Sequence, residues 1–160
     1  MTVLVCSLKT SEPQRIEPGA YRVVRFPFGA AESHDVHTMH QVVQPDGVRL
    51  ADWIRDDRSG LIWPAAEGWG TLHALIQWED GEYTEVRSQF VRDPLGLSTG
   101  PDSTCTEDDV PTPGGQFRAK TWGLFVHPGT PLALVVRHDA RTAQRVTLAE
   151  FKLAIHPTEV

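Results

Sequence analysis

The sequence predicts an all-β chain: an antiparallel β-sandwich of jelly-roll type with about nine to ten strands. Three observations predict it. Apolar residues alternate with period two over Thr71–Trp78 and Val146–Ile155. Turn signals built on Pro and Gly recur between short β-branched runs. No stretch carries long helical periodicity.

Each element has its own signal. Thr2–Leu8 is β-branched and bounded by polar residues, which predicts a short N-terminal strand or arm. Tyr21–Phe26 follows the turn Glu17-Pro18-Gly19. Val48–Arg55 follows Pro45-Asp46-Gly47, where proline presets φ and glycine accepts a positive φ. Leu61–Trp63 is short and stops at Pro64. In Thr71–Trp78, Leu72, Ala74, Ile76 and Trp78 share one face, while Thr71, His73, Leu75 and Gln77 share the other. Asp80-Gly81 then predicts a two-residue hairpin turn into a partner strand at Tyr83–Val91. Phe117–Val126 is a further strand. Pro128-Gly129-Thr130-Pro131 turns the chain into the apolar run Leu132–His138. The polar loop Asp139–Gln144 leads to Val146–Ile155, where Ala149, Phe151, Leu153 and Ile155 face inward and Glu150 and Lys152 outward. A short helix is expected near Ala31–His40.

Residues 93–116 break the pattern. They hold Pro94, Pro101, Pro111 and Pro113, with Gly96, Gly100, Gly114 and Gly115, around the acidic run Glu107-Asp108-Asp109. A loop of this length in a compact domain is either functional or disordered, and contact with a neighbouring subunit or another partner is the role expected of it. No internal repeat or second domain is visible, so residues 1–160 read as one domain.

The chain carries 15 basic and 21 acidic side chains, a formal net charge of −6. With no basic block, neither nucleic acid nor an anionic membrane surface is an expected partner. No apolar run approaches the roughly 20 residues of a membrane span. The N-terminus lacks a positively charged n-region, so no signal peptide is expected and synthesis is assigned to a cytoplasm. Cys6 and Cys105 lie far apart, and their spacing does not require a disulfide.

Few constellations could carry chemistry. His34, His37 and His40, with Asp35, have helix-compatible spacing for a metal site, but HExxH and HxH are both absent. A GxSxG elbow, a phosphate loop and CxxC are also missing. Cys105 sits among acids, which disfavour a thiolate. No catalytic residue, metal or cofactor is therefore expected. The five tryptophans, Trp53, Trp63, Trp69, Trp78 and Trp122, fit core and interface packing. Trp69, between two glycines, is the candidate for an exposed ring that stacks on a glycan.

The segments SGLIWPAAEGWGTLHALIQWED and FVHPGTPLALVVRHDARTAQRVTLAEFKLAIHP resemble the complement globular-head and tumour-necrosis-factor-like jelly roll. Pro64, Gly68, Trp78, Gly129, Leu132, Val136, His138, Phe151 and Ile155 stand at the matching places. Gly70-Thr71-Leu72 departs where an aromatic is usual, and Thr130-Pro131 replaces a common Asp. The likeness runs over Asp56–Pro157. It implies a homotrimer packed through apolar and aromatic residues of one sheet, with Trp53, Tyr83, Trp122 and Phe125 as seam candidates. The whole chain, including RFPFGAAESHDVHTMHQVVQPDGVRLADWIRDDRSGLIWPAAEGWG and QFVRDPLGLS, also resembles small virion proteins of tailed phages that infect actinobacteria. That likeness implies a virion location and other virion proteins as partners.

Together these imply a homotrimeric capsid decoration or cement protein. The first alternative is a minor tail or receptor-binding protein that contacts host glycan through exposed aromatics. The second is a metal-dependent β-sandwich enzyme.

Overall fold

The structure is a computed structural model that describes residues 2–158. Ten strands follow one another: β1 Leu4–Thr10, β2 Gln14–Ile16, β3 Arg22–Val23, β4 Glu32–His34, β5 Gly68–Trp78, β6 Val86–Arg92, β7 Asp102–Asp109, β8 Gln116–Val126, β9 Leu132–His138 and β10 Gln144–Pro157. A 3₁₀ turn at Asp57–Gly60, capped by the Asp56 carboxylate, is the one helical element among the described residues. The strands form two antiparallel sheets. The first has the order β4-β1-β10-β5-β8, with β2 also paired to β10. The second has the order β3-β9-β6-β7. This is the predicted jelly-roll sandwich.

The alternation read from sequence is the alternation that folds the sheets together. Leu72, Ala74, Ile76 and Trp78 of β5 are buried, as are Ala149, Phe151, Leu153 and Ile155 of β10. These two strands pair over most of their length, from Leu148↔Gln77 to Pro157↔Gly68. The second sheet answers with β9, where Leu132, Leu134 and Val136 enter the main core. Ala133 and Val135, on the reverse face of β9, pack against Leu61 and Trp63. The near-continuous apolar run of β9 is thus covered on both sides.

Four expectations are corrected. First, Ala31–His40 holds no helix. The short strand β4 is followed by a turn in which the Asp35 carboxylate accepts from the Met39 and His40 amides at 2.8 and 2.9 Å. Thr38 there has φ +53°, which a helix does not contain. Second, Val48–Arg55 is not a strand. The turn before it forms as read, with Gly47 at φ +91°, but only the bridge Val43↔Arg49 follows.

Third, Asp80-Gly81 is not a hairpin turn. β5 pairs with β8 and β10, whereas β6 belongs to the opposite sheet. Residues 79–85 carry the chain from one sheet to the other. Gly81 has no positive φ; a Cβ there would lie 2.1 Å from Gln144 Oε1. Fourth, residues 93–116 are not one loop. They contain β7, an eight-residue edge strand paired with β6. Its sequence DSTCTEDD is polar because an edge strand with little core contact needs no apolar face, and its charges discourage stray pairing. Pro94 and Pro101 flank it on one side, Pro111 and Pro113 on the other.

One buried charge organises the segment before β7. Asp93 is fully buried at φ +55°. Its carboxylate accepts from the amides of Leu97, Ser98, Thr99 and Gly100 at 2.9, 3.0, 2.8 and 3.2 Å. Burial alone would raise its pKa; the amides of Thr99, Ser98 and Leu97 and the Ser98 hydroxyl outweigh that and hold it at about 2. The folded value lies below the unfolded one. The stabilisation is therefore present above the usual aspartate range and is lost as pH falls through about 2. Asp93→Asn keeps a residue that tolerates positive φ but offers one acceptor oxygen where there were two. It should cost about 1–3 kcal/mol, read by urea unfolding, and should flatten the acid limb of the stability curve. An unchanged acid limb would show that the carboxylate does not hold the loop.

Candidate self-association face

The outer face of the first sheet follows from the same period-two rule. Where Leu72, Ala74, Ile76 and Trp78 point in, Trp69, Thr71, His73, Leu75 and Gln77 of β5 point out. Opposite them on β8 stand Phe125, Gly123, Thr121, Ala119 and Phe117. On β10 the outward row includes Leu148, Glu150, Lys152 and Ala154. Beside the Trp69 end, Gly123, Thr71 and Ala154 make one row of small side chains, and a shallow depression lies over His73, Leu75, Glu150 and Lys152. Lys152 and Glu150 pair at 3.0 Å, and Thr121 Oγ1 meets His73 Nδ1 at 3.2 Å.

At one end stands an aromatic pair. Trp69 and Phe125 are cross-strand partners with ring centroids 5.4 Å apart and an interplanar angle of 82°. The Trp69 indole lies against Gly123: a Cβ there would come within 2.5 Å of Trp69 Cζ2. Gly123 is glycine for this close approach. Trp69 and Phe125 remain 46% and 51% exposed, and Phe117 at the other end of the face 59%. Exposed rings held this firmly form a contact surface at low entropic cost. Trp69 was read from sequence as the exposed ring, and it is exposed. Gly123 was missed, because nothing local distinguishes a glycine under a ring from a turn glycine.

The four seam candidates are not brought together. Phe125 lies on the outer face. Tyr83 belongs to the protomer core, edge-on to Trp78 at 5.9 Å and to His138 at 5.9 Å, with its hydroxyl donating to the Glu79 carbonyl. Burial pushes its phenol up to about 12, with Glu79 and Asp80 adding to the shift. Trp122 has the inward phase of Leu124 and Lys120, yet it is 47% exposed because it stands at the open edge of the sandwich. Beside it Lys120 lies over the Phe90 ring at 4.7 Å and donates to the Cys105 carbonyl at 2.9 Å. Trp53 is half-buried in the loop before the 3₁₀ turn, where it lines a cavity with β2 residues. Of the four prolines proposed for partner contact, Pro101 and Pro113 are exposed and Pro94 and Pro111 half-buried.

The histidine cluster is split. His34 and His37 are exposed. His40 is buried, stacked on Phe28 at 4.3 Å, with Nε2 2.7 Å from the Ser59 carbonyl and Nδ1 3.2 Å from Glu32. Among the described residues no three His, Cys, Asp or Glu side chains are placed to hold one ion. Both cysteines are free thiols, and burial drives that of Cys6 well above the ordinary thiol range. No helix among the described residues is long and apolar enough to cross a membrane.

No protein-family model matches the chain, and no curated protein matches it. Solved structures do. The Eiger tumour necrosis factor of S. frugiperda superposes with TM-score 0.62 at 15% identity, covering 99% of this chain and 96% of that one. The globular domain of the zebrafish complement 1qA protein gives TM-score 0.62 at 11% identity, over 98% and 99%. Murine APRIL at pH 5.0 gives TM-score 0.59 at 9% identity, over 97% and 100%. The chain is therefore a jelly roll of the tumour-necrosis-factor and complement globular-head type. The likeness, at these identities, is one of fold.

Proposed function

We propose that this chain is a non-enzymatic assembly module: a homotrimer that docks on a phage particle as a capsid decoration protein. One observation supports self-association above the others. Trp69 is pinned against Gly123 and Phe125 and left exposed on the outer sheet face. The decoration role rests on the resemblance of the chain to small virion proteins, with partners among the other virion proteins. Analytical ultracentrifugation tests the trimer. The parent should sediment as a trimer at micromolar concentration. Trp69→Ala with Phe125→Ala should weaken association at least about 100-fold, as loss of two hot-spot aromatics would. Gly123→Ala, which must displace the indole, should weaken it in the same direction. A parent that sediments as a monomer would overturn the reading. Proteomics of purified particles that finds the chain at capsid-like copy number supports decoration.

A second reading is favoured by the same exposed indole: a minor tail or receptor-binding protein that stacks host glycan on Trp69. Glycan binding that is lost in Trp69→Ala while the trimer persists would decide for it.

A further inference from the structure

Between β4 and β5 the chain runs from Asp35 to Glu67 with a single 3₁₀ turn and none of the ten strands. One buried histidine ties this stretch to itself and to the first sheet. His40 Nε2 meets the Ser59 carbonyl at 2.7 Å, and the Trp63 amide donates to the Met39 carbonyl beside it at 2.8 Å. Ser59 Oγ in turn donates to the Trp53 and Asp56 carbonyls at 2.7 and 2.8 Å. The other ring nitrogen, Nδ1, lies 3.2 Å from Glu32 Oε1 on β4. The His40 side chain has no exposed surface.

These neighbours fix the proton count of the ring. An oxygen faces each nitrogen, while a neutral imidazole has one N–H and one lone pair. Either neutral tautomer would aim a lone pair at an oxygen in a space closed to water. Neither His40 Nδ1 nor Glu32 Oε2 has a hydrogen-bond partner that would relieve this. The imidazolium offers a proton to both oxygens, and imidazole is a stronger base than carboxylate, so the proton sits on the ring. The surrounding groups agree. The Asp35 carboxylate accepts from the His40 amide at 2.9 Å. Cys6 on β1 stays a neutral thiol, pushed up by burial and then by Asp35 and Glu32. On the 3₁₀ turn, Arg58 commits its guanidinium to Asp46 at 2.9 Å, and Phe28 stacks an uncharged ring on His40. His138, just as deeply buried, is the opposite case. Its Nε2 lies 2.7 Å from the Ile16 carbonyl and its Nδ1 accepts from the Ala140 amide at 3.1 Å, one donor and one acceptor. That ring is neutral.

We infer that His40 and Glu32 form a proton-operated latch, closed on the imidazolium and opened when its proton leaves. Loss of the proton sets the ring against either Ser59 or Glu32 and frees the stretch that His40 holds. Leu61 and Trp63 follow directly along the chain and cover Ala133 and Val135 of β9, so that cover loosens with it. The closed latch binds one proton more than the unfolded chain. Its stabilisation is therefore present in full below about pH 6.5, where a free histidine is charged, and is lost as pH rises.

NMR of the histidine ring nitrogens in the full chain reads the proton directly. At about pH 7.5 a free histidine is roughly nine-tenths neutral. His40 should then carry protons on both ring nitrogens, and His138 on one. Amide hydrogen exchange, corrected for its intrinsic pH dependence, reads the latch. Protection over residues 39–60 should fall by up to about tenfold per pH unit, the slope of one proton, while that of β5 and β10 stays constant. Glu32→Gln, whose amide can donate to a neutral ring, should keep the fold and remove the slope. A singly protonated His40 ring, flat protection in the parent, or an equal slope in Glu32→Gln would each overturn the inference.

Discussion

Replacing Phe151 with alanine is expected to destabilise the protein by about 3–5 kcal/mol and to lower Tm by roughly 6–20 °C. Phe151 lies near the middle of β10 and is fully buried. Its ring stacks with Phe26 at 6.4 Å and with Phe90 of the opposite sheet at 6.1 Å. The strands around it belong to two rigid sheets, so the void left by a lost ring can close only in part. Phe151→Leu, which keeps most of the apolar volume, should cost less than half as much. Urea unfolding measures both. An alanine variant within about 1 kcal/mol of the parent would show that the sheets collapse into the gap.

Trp78→Ala is expected to cost a similar amount, about 3–5 kcal/mol, with a different signature. Trp78 ends β5 and is edge-on to Tyr83 and to His138, which in turn contact each other. Aromatic pairs of this geometry contribute about 0.5–1.5 kcal/mol beyond burial. Tyr83 sits within the crossing of residues 79–85 between the sheets. Loss of Trp78 should therefore loosen that crossing specifically, and hydrogen exchange should show its amides deprotected before those of β10. Unchanged exchange across residues 79–85 would mean that the crossing is held by other contacts, such as the 3.0 Å bond from the Glu79 amide to the Arg145 carbonyl.

These residues also show what was legible beforehand. β5 and β10 were readable because burial of one face imposes period two on the residues themselves, and β9 because burial of both faces makes it a continuous apolar run. Trp78 and Phe151 could be placed in the core on that ground alone. The errors fall where a local signal competes with a distant contact. Asp80-Gly81 has the composition of a tight turn, but Gly81 is small because Gln144, far along the chain, packs against it. β7 was invisible because an edge strand made of DSTCTEDD carries no apolar phase. Of the candidate site, Trp69 was legible as a ring between two glycines, and Phe125 as a seam residue that the family resemblance implied. Tyr83 was misassigned to a seam because its partners, Trp78 and His138, converge only after the sheets close. Trp53 was misplaced for the opposite reason: the loop that carries it was expected to be a strand.

β1 is hydrogen-bonded to β10, from Leu4↔Ile155 to Thr10↔Ala149. The central strand of the first sheet is thus synthesised after both of its neighbours, β1 and β5. At typical synthesis rates that wait is on the order of 10 s. Throughout it, β1 and β5 lack the strand that hydrogen-bonds to both of them. Truncation before Gln144 should leave a fragment that aggregates rather than one that folds in part.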